Sequence, residues 1–230
     1  MSLVSATRRL RLGLVHAAAV LLLVATAVPV ADALQFDPAR IEQQASSRYG
    51  PKGGVAVSRW VAMLASAAGQ PVSSQLRQVN DFWNTTVRGG EDVQIWRQTD
   101  YWATPMETLG RRLGDCEDFV IGKYFSLVHV GVNPDKLRLF YVRARMGGMG
   151  SSQTIAHMVL AYYETPDADP LILDNLSGSI SRASQRSDLK PVFSFNANGI
   201  YVGGAAAGSV DRISRWRDLL VRMQREGFNQ

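Results

Sequence analysis

The chain contains one cysteine, Cys116, in the segment Gly114-Asp115-Cys116-Glu117-Asp118-Phe119, where a glycine-ended loop runs into a stretch of helical periodicity. That pattern puts the thiol at or near a helix N-terminus, where unpaired N–H groups and the helix dipole stabilise a thiolate. The same N–H groups suit the oxyanion of an acyl-transfer intermediate. A lone cysteine elsewhere is usually a small core residue, but this setting points to a nucleophile. A thiol nucleophile needs a base, and the chain has three histidines. His16 lies in an apolar N-terminal run. His129 lies late on the Cys116 helix, nearly 20 Å along the axis at about 1.5 Å per residue, and is read as structural. His157, in the strand-like run Thr154–Val159, remains by elimination. Asp174 closes Leu171-Ile172-Leu173-Asp174, three apolar residues delivering one carboxylate. If those two runs pair across the Thr165–Pro170 turn, Asp174 falls beside His157, where it would orient the imidazole and fix its tautomer. Asp167 and Asp169 are read as solvated turn residues.

The elements that must position these groups follow from periodicity and punctuation. Asp37-Pro38 opens a helix that Gly50 ends. A second helix runs through Val55–Ala68 and a third follows Pro71, with Leu76, Val79 and Trp83 at helical spacing. Gly89-Gly90 breaks the pattern, Val93–Trp102 is irregular and aromatic, and Thr104-Pro105 starts a short helix that stops near Gly110–Gly114. The Cys116 helix runs to about Val130. The chain then changes to short β-rich runs: Leu137–Arg145, Thr154–Tyr163, Leu171–Asp174, Val192–Phe195 and Ile200–Val202. Asn198-Gly199 signals a tight hairpin, and Ala205–Gly208 reads as a flexible loop. A last amphipathic helix is expected from a Ser209 cap, with Val210, Ile213, Trp216, Leu220 and Met223 on one face and Gly227 at its end. Helices first, an antiparallel meander, then a closing helix make an α+β arrangement in one domain.

Composition narrows the setting. The 230 residues are 46% hydrophobic with five Trp, enough for a sizeable core. Arg8, Arg9 and Arg11 precede the mostly apolar run Leu14–Val30, which ends at Ala31-Asp32-Ala33. This is the pattern of a secretory signal occupying residues 1–33, with the mature chain, 34–230, beginning at Leu34. An uncleaved anchor is the alternative, since a spanning helix needs roughly 20 apolar residues. The formal charge of +5 includes three Arg and one Asp of that segment, so the remainder carries +3. No like-charge run or basic aromatic patch marks a nucleic-acid partner. A single cysteine in an exported chain excludes an internal disulfide.

The Asp-Cys-Glu-Asp segment, the His-Met-Val-Leu strand and the Leu-Asp-Asn end resemble the bacterial transglutaminase-like cysteine proteinases, and within them the LapG-type periplasmic enzymes. The resemblance covers about residues 34–230. It implies a papain-like fold, a Cys116–His157–Asp174 triad and calcium ligands at Asp115, Glu117 and Asp118. It also implies a periplasmic protease that cuts the N-terminal retention segment of a large surface adhesin. An inner-membrane cyclic-di-GMP receptor would hold the enzyme inactive. Electrostatics gives calcium a separate motive: three carboxylates flanking Cys116 disfavour its thiolate, and the helix dipole offsets only about 0.3–1 kcal/mol. All-oxygen ligands suit calcium; otherwise these acids simply cap the first turn. No glutamine before Cys116 matches the side-chain oxyanion donor of papain-type enzymes, which leaves the indole N–H of Trp96 or Trp102 as candidates. An amine acceptor in place of water would make the same site a transglutaminase or cell-wall acyl transferase. A noncatalytic binding module has no need of all three residues.

Overall fold

The computed structural model describes residues 34–229, Met149 excepted; the expected signal segment lies outside these residues. Helix α1 (Pro38–Ala67) is capped by Asp37, whose Oδ1 accepts from the N–H groups of Ala39 and Arg40. It bends at Gly50, which sits at φ 74°, a left-handed conformation that glycine adopts without steric cost. Pro51 then restarts the helix as a first-turn proline, so the two expected helices are joined end to end. Helix α2 (Val72–Thr86) follows, then a two-residue strand β1 (Arg88–Gly89) and a single turn α3 (Asp92–Ile95). Thr104 and Glu107 form a reciprocal capping box on α4 (Pro105–Arg111). Strand β2 (Leu113–Gly114) leads directly into α5 (Cys116–His129).

α5 is buried from Asp118 to Val128 on every side, as befits a helix at the centre of the molecule. α1 and α2 pack on one flank through Trp60 and Trp83. Both indole N–H groups donate to Ser126 Oγ, at 2.8 and 3.0 Å, and that hydroxyl donates to the Gly122 carbonyl at 2.6 Å. Gly122 has to be glycine: a Cβ there would stand 2.4 Å from the Trp83 ring. On another flank, Trp216 of α6 (Ser214–Glu226) stacks on Phe125 at 5.6 Å.

The remaining layer is a seven-stranded sheet built from β3 (Leu137–Arg145), β4 (Thr154–Tyr162), β5 (Leu171–Leu173), β6 (Ser181–Arg182), β7 (Leu189–Asn196), β8 (Gly199–Val202) and β9 (Ala205–Gly208), ordered β6-β5-β4-β3-β7-β8-β9. Every pairing is antiparallel. The sheet is not a plain meander: after β6 the chain crosses from one edge to pair β7 with β3. By alternation, Leu137, Leu139, Met158 and Leu160 face the helices, while Val142, Val159, Ala161 and Ile172 form a smaller apolar cluster on the other face.

Three local expectations shift. Ala205–Gly208 is an edge strand, paired to β8, rather than a loop. The hairpin near Asn198 closes one residue early, with Asn196 paired to Gly199 around Ala197-Asn198. Ser209 caps a short 3₁₀ turn, Val210–Arg212, and α6 begins only at Ser214, burying Trp216, Leu219 and Met223. Among the described residues no helix is long and apolar enough to cross a membrane.

Candidate active site and carboxylate cluster

Asp115 caps α5, its Oδ1 accepting from the Asp118 N–H at 3.3 Å, and Cys116 is the first helical residue. α5 packs against β4, and the backbone N–H of Met158, the residue after His157, lies near enough to the Cys116 sulphur to favour its thiolate. The base candidate thus lies on the strand against which the helix carrying the nucleophile candidate packs. β4 and β5 pair antiparallel, Leu160 opposite Leu173. Carrying that register one residue on brings Asp174 to the His157 side of the sheet. His157 Nε2 and Asp174 Oδ1 are 2.7 Å apart, both residues buried. Because a carboxylate only accepts, Nε2 carries the proton and Nδ1 is left as the basic nitrogen.

Asp174 has further support. Its Oδ1 also accepts from the Leu176 N–H at 2.9 Å, and its Oδ2 from Arg186 Nη2 at 2.7 Å. Asn84 of α2 donates to the Asp174 carbonyl at 2.9 Å. Burial pushes this carboxyl up, but His157, Leu176 and Arg186 outweigh it and hold the group down at about 2. Lys123, two turns past Cys116, is fully buried without a partner, and burial lowers it to about 7 against the pull of Asp174 and Asp81.

The acids around the thiol divide into two groups. Glu117 Oε2 accepts from Cys116 Sγ at 2.8 Å, and its Oε1 lies 3.5 Å from the Tyr141 hydroxyl. Burial first, and then the charge and hydrogen bond of Glu117, push the Cys116 thiol far up. Asp115 and Asp118 instead converge with Asp92, the first residue of α3, their ligand oxygens all within 4.8 Å of one another. The parallel pairing of β1 with β2, Gly89 beside Gly114, brings Asp92 here. Asp92 Oδ2 accepts from the Tyr101 N–H and Asp118 Oδ1 from the Ala103 N–H, while Asp92 Oδ1 and Asp118 Oδ2 are buried with no partner. Burial raises all three carboxyls, helped by neighbouring acids: Asp118, Glu117 and Asp92 for Asp115, which reaches about 10, Asp92 and Glu117 for Asp118, and Glu117 and Asp100 for Asp92. Two orphaned buried oxygens among three repelling acids form an all-oxygen donor set that a hard divalent cation satisfies. The residues present fit calcium.

The other candidates fall elsewhere. His129 Nδ1 is 2.6 Å from the Leu34 carbonyl and its ring packs on Phe36, a structural role. Trp102 commits its indole N–H to Asp100 at 3.1 Å and stacks on Phe195. Trp96 packs at a tilt against Tyr101 beneath Arg111, with its indole N–H buried and unpartnered. Asp92 and Arg186 escaped sequence reasoning.

The profile of the bacterial transglutaminase-like cysteine proteinase family matches residues 59–188. Among solved structures, Legionella pneumophila LapG is similar, with 38% identity over 83% of this chain and 99% of that one and a TM-score of 0.71. Its EGTA-treated form matches at 38% identity, 83% and 100% coverage and TM-score 0.72, and its calcium-bound form at 39%, 81% and 99%, and 0.69. A comparison with curated proteins finds no match.

Proposed function

The chain belongs to the bacterial transglutaminase-like cysteine proteinases and is a cysteine peptidase, and from that premise we propose that it is a calcium-dependent periplasmic endopeptidase that cuts the N-terminal retention segment of a large surface adhesin, releasing it and promoting biofilm dispersal. The observation that carries this reading is the buried His157–Asp174 hydrogen bond on β4, the strand against which α5 and its first residue Cys116 pack. Cys116 Sγ attacks the scissile carbonyl and its proton passes to His157 Nδ1. The free N–H groups of the first turn of α5 face the oxyanion. Collapse of the tetrahedral intermediate breaks the C–N bond, and the imidazolium gives its proton to the leaving amine. His157 then takes a proton from water, whose oxygen attacks the thioester and restores the thiol. Asp174 keeps the imidazole in one tautomer throughout.

Asp92, Asp115 and Asp118 would hold the calcium ion, with Glu117 as the further acid at that end of the helix. A bound cation supplies positive charge that offsets the carboxylates opposing the thiolate. The calcium-bound and EGTA-treated forms of the Legionella protein support calcium as the ion. The N-terminal sequence supports export and removal of residues 1–33, and sequestration by an inner-membrane cyclic-di-GMP receptor is part of the same proposal.

The test is incubation of the purified protein with the N-terminal segment of a large repeat-containing surface protein from the same cell. Cleavage at one site, with hydrolysed rather than amine-linked ends in the presence of a labelled amine, supports the proposal. An intact segment, or incorporation of the amine, overturns it.

A further inference from the structure

Arg186 lies in the polar stretch between β6 and β7, twelve residues past Asp174, and its side chain is only 12% exposed. Its Nη2 donates to Asp174 Oδ2 at 2.7 Å and to Asp188 Oδ2 at 2.8 Å, while its Nε donates to both Asp188 oxygens, at 3.0 and 3.3 Å. Asp188 therefore fixes the plane of the guanidinium, and the guanidinium fixes Asp174 Oδ2. The other oxygen, Oδ1, accepts both His157 Nε2 and the Leu176 N–H. With donors on both oxygens, the carboxylate has one rotation about its Cβ–Cγ bond that satisfies every partner. Asp174 itself is wholly buried, so no water replaces a lost donor without opening the site.

We propose that Arg186, held by Asp188, is a positioning residue that fixes the rotation and the charged state of Asp174 and thereby the orientation of the His157 ring toward Cys116. This rests on the Cys116–His157–Asp174 reading of the site. A purely structural ion pair needs neither the buried carboxylate nor the specific division of donors between its two oxygens. Without Arg186, Oδ2 becomes an unpaired buried acceptor, and the carboxylate turns toward whatever donor it finds, taking Oδ1 away from Nε2. The same loss weakens the electrostatic support for an imidazolium, since a protonated Asp174 donates rather than accepts. A lysine at this position restores the charge and one donor but not the two-sided fork.

The readout is the rate at which iodoacetamide alkylates Cys116, the one cysteine in the chain, in calcium-loaded protein across pH 5–9. H157A and D174A serve as references for loss of the base and of its orienter. In R186M the alkylation rate near neutral pH is expected to fall about ten- to hundredfold, the scale on which misplaced catalytic groups lose rate. The profile of rate against pH should move toward that of D174A, and R186K should recover most of the wild-type rate. Thermal unfolding of each variant separates this from loss of fold, which would expose Cys116 as an ordinary thiol with the pH profile of a free cysteine, titrating at about 8.5. If H157A and D174A leave the rate unchanged, the triad reading fails. If they lower it while folded R186M keeps the wild-type rate and profile, the positioning role is overturned.

Discussion

Removing the charge next to the nucleophile is the perturbation whose size the geometry sets most closely. Glu117 Oε2 stands 2.8 Å from Cys116 Sγ. At that separation and an effective dielectric of about 20, a carboxylate and a thiolate repel by about 6 kcal/mol, or about four pKa units at 1.36 kcal/mol each. Both side chains are half-buried, and solvent at the open side screens the pair, so about one to two units is the expected fall of the thiol pKa in Glu117→Gln. Glutamine keeps the shape and can still accept from the thiol, so the charge alone changes. Each unit increases the thiolate fraction tenfold, but a less basic thiolate is also a weaker nucleophile, with a Brønsted slope of about 0.4–0.5. The net expectation is a three- to tenfold rise in the iodoacetamide rate at fixed pH between 7 and 8, measured in excess chelator. The assay has no background thiol because Cys116 is unique. An unchanged rate and unchanged pH dependence in folded Glu117→Gln would refute the claim that this carboxylate restrains the thiol.

Ser126→Ala leaves two buried indole donors, on Trp60 and Trp83, without an acceptor. At about 1–3 kcal/mol each, and about 2–4 °C per kcal/mol for a chain of this size, the unfolding midpoint should drop on the order of 5–20 °C by calorimetry; a drop under about 2 °C would contradict the shared-acceptor account. Burial, with Glu107 adding to it, raises Glu226 from 4.5 to about 8. The folded state therefore holds that proton more tightly than the unfolded one, and its contribution is fully present below about pH 4.5 and lost as pH rises to about 8. Glu226→Gln should remove a stability loss of a few kcal/mol over that window in urea titrations, and parallel pH slopes in the two proteins would show the acid is not buried as described. Asp92→Asn should weaken calcium binding at least tenfold by titration calorimetry while leaving unfolding in chelator unharmed, because it removes one of three converging acids; an unchanged Kd would remove Asp92 from the proposed site.

The parts of the site that were legible in the sequence are those set by short-range pattern. Gly114 followed by helical periodicity from Phe119 marked the start of α5, and the β-rich runs ending at Tyr163 and Asp174 implied the β4–β5 pairing that joins His157 to Asp174. Asp92 was hidden for a topological reason. It sits 24 residues before Cys116 in an irregular aromatic segment and reaches Asp115 only through the parallel pairing of two-residue strands, which have no periodicity to read. Glu117, next to the thiol in sequence, points its carboxylate at Sγ and Tyr141 rather than into the cluster of Asp92, Asp115 and Asp118, because successive residues on a helix face different directions. Arg186 lies in a serine-rich stretch with nothing apolar to mark it, and its role depends on the crossing from β6 to β7. The edge strand β9 consists of Ala and Gly, with no β-branched residue to signal a strand; its pairing to β8 is imposed by the neighbour.

The central claim, a calcium-dependent peptidase acting through Cys116, is tested most directly by the cleavage rate of the adhesin N-terminal segment with wild-type and Cys116→Ala protein, each in calcium and in excess EGTA. The account predicts cleavage by the wild type in calcium, its loss in EGTA and recovery on adding calcium back, and no cleavage by folded Cys116→Ala under any condition. Turnover by Cys116→Ala, or an undiminished wild-type rate in EGTA, would contradict it.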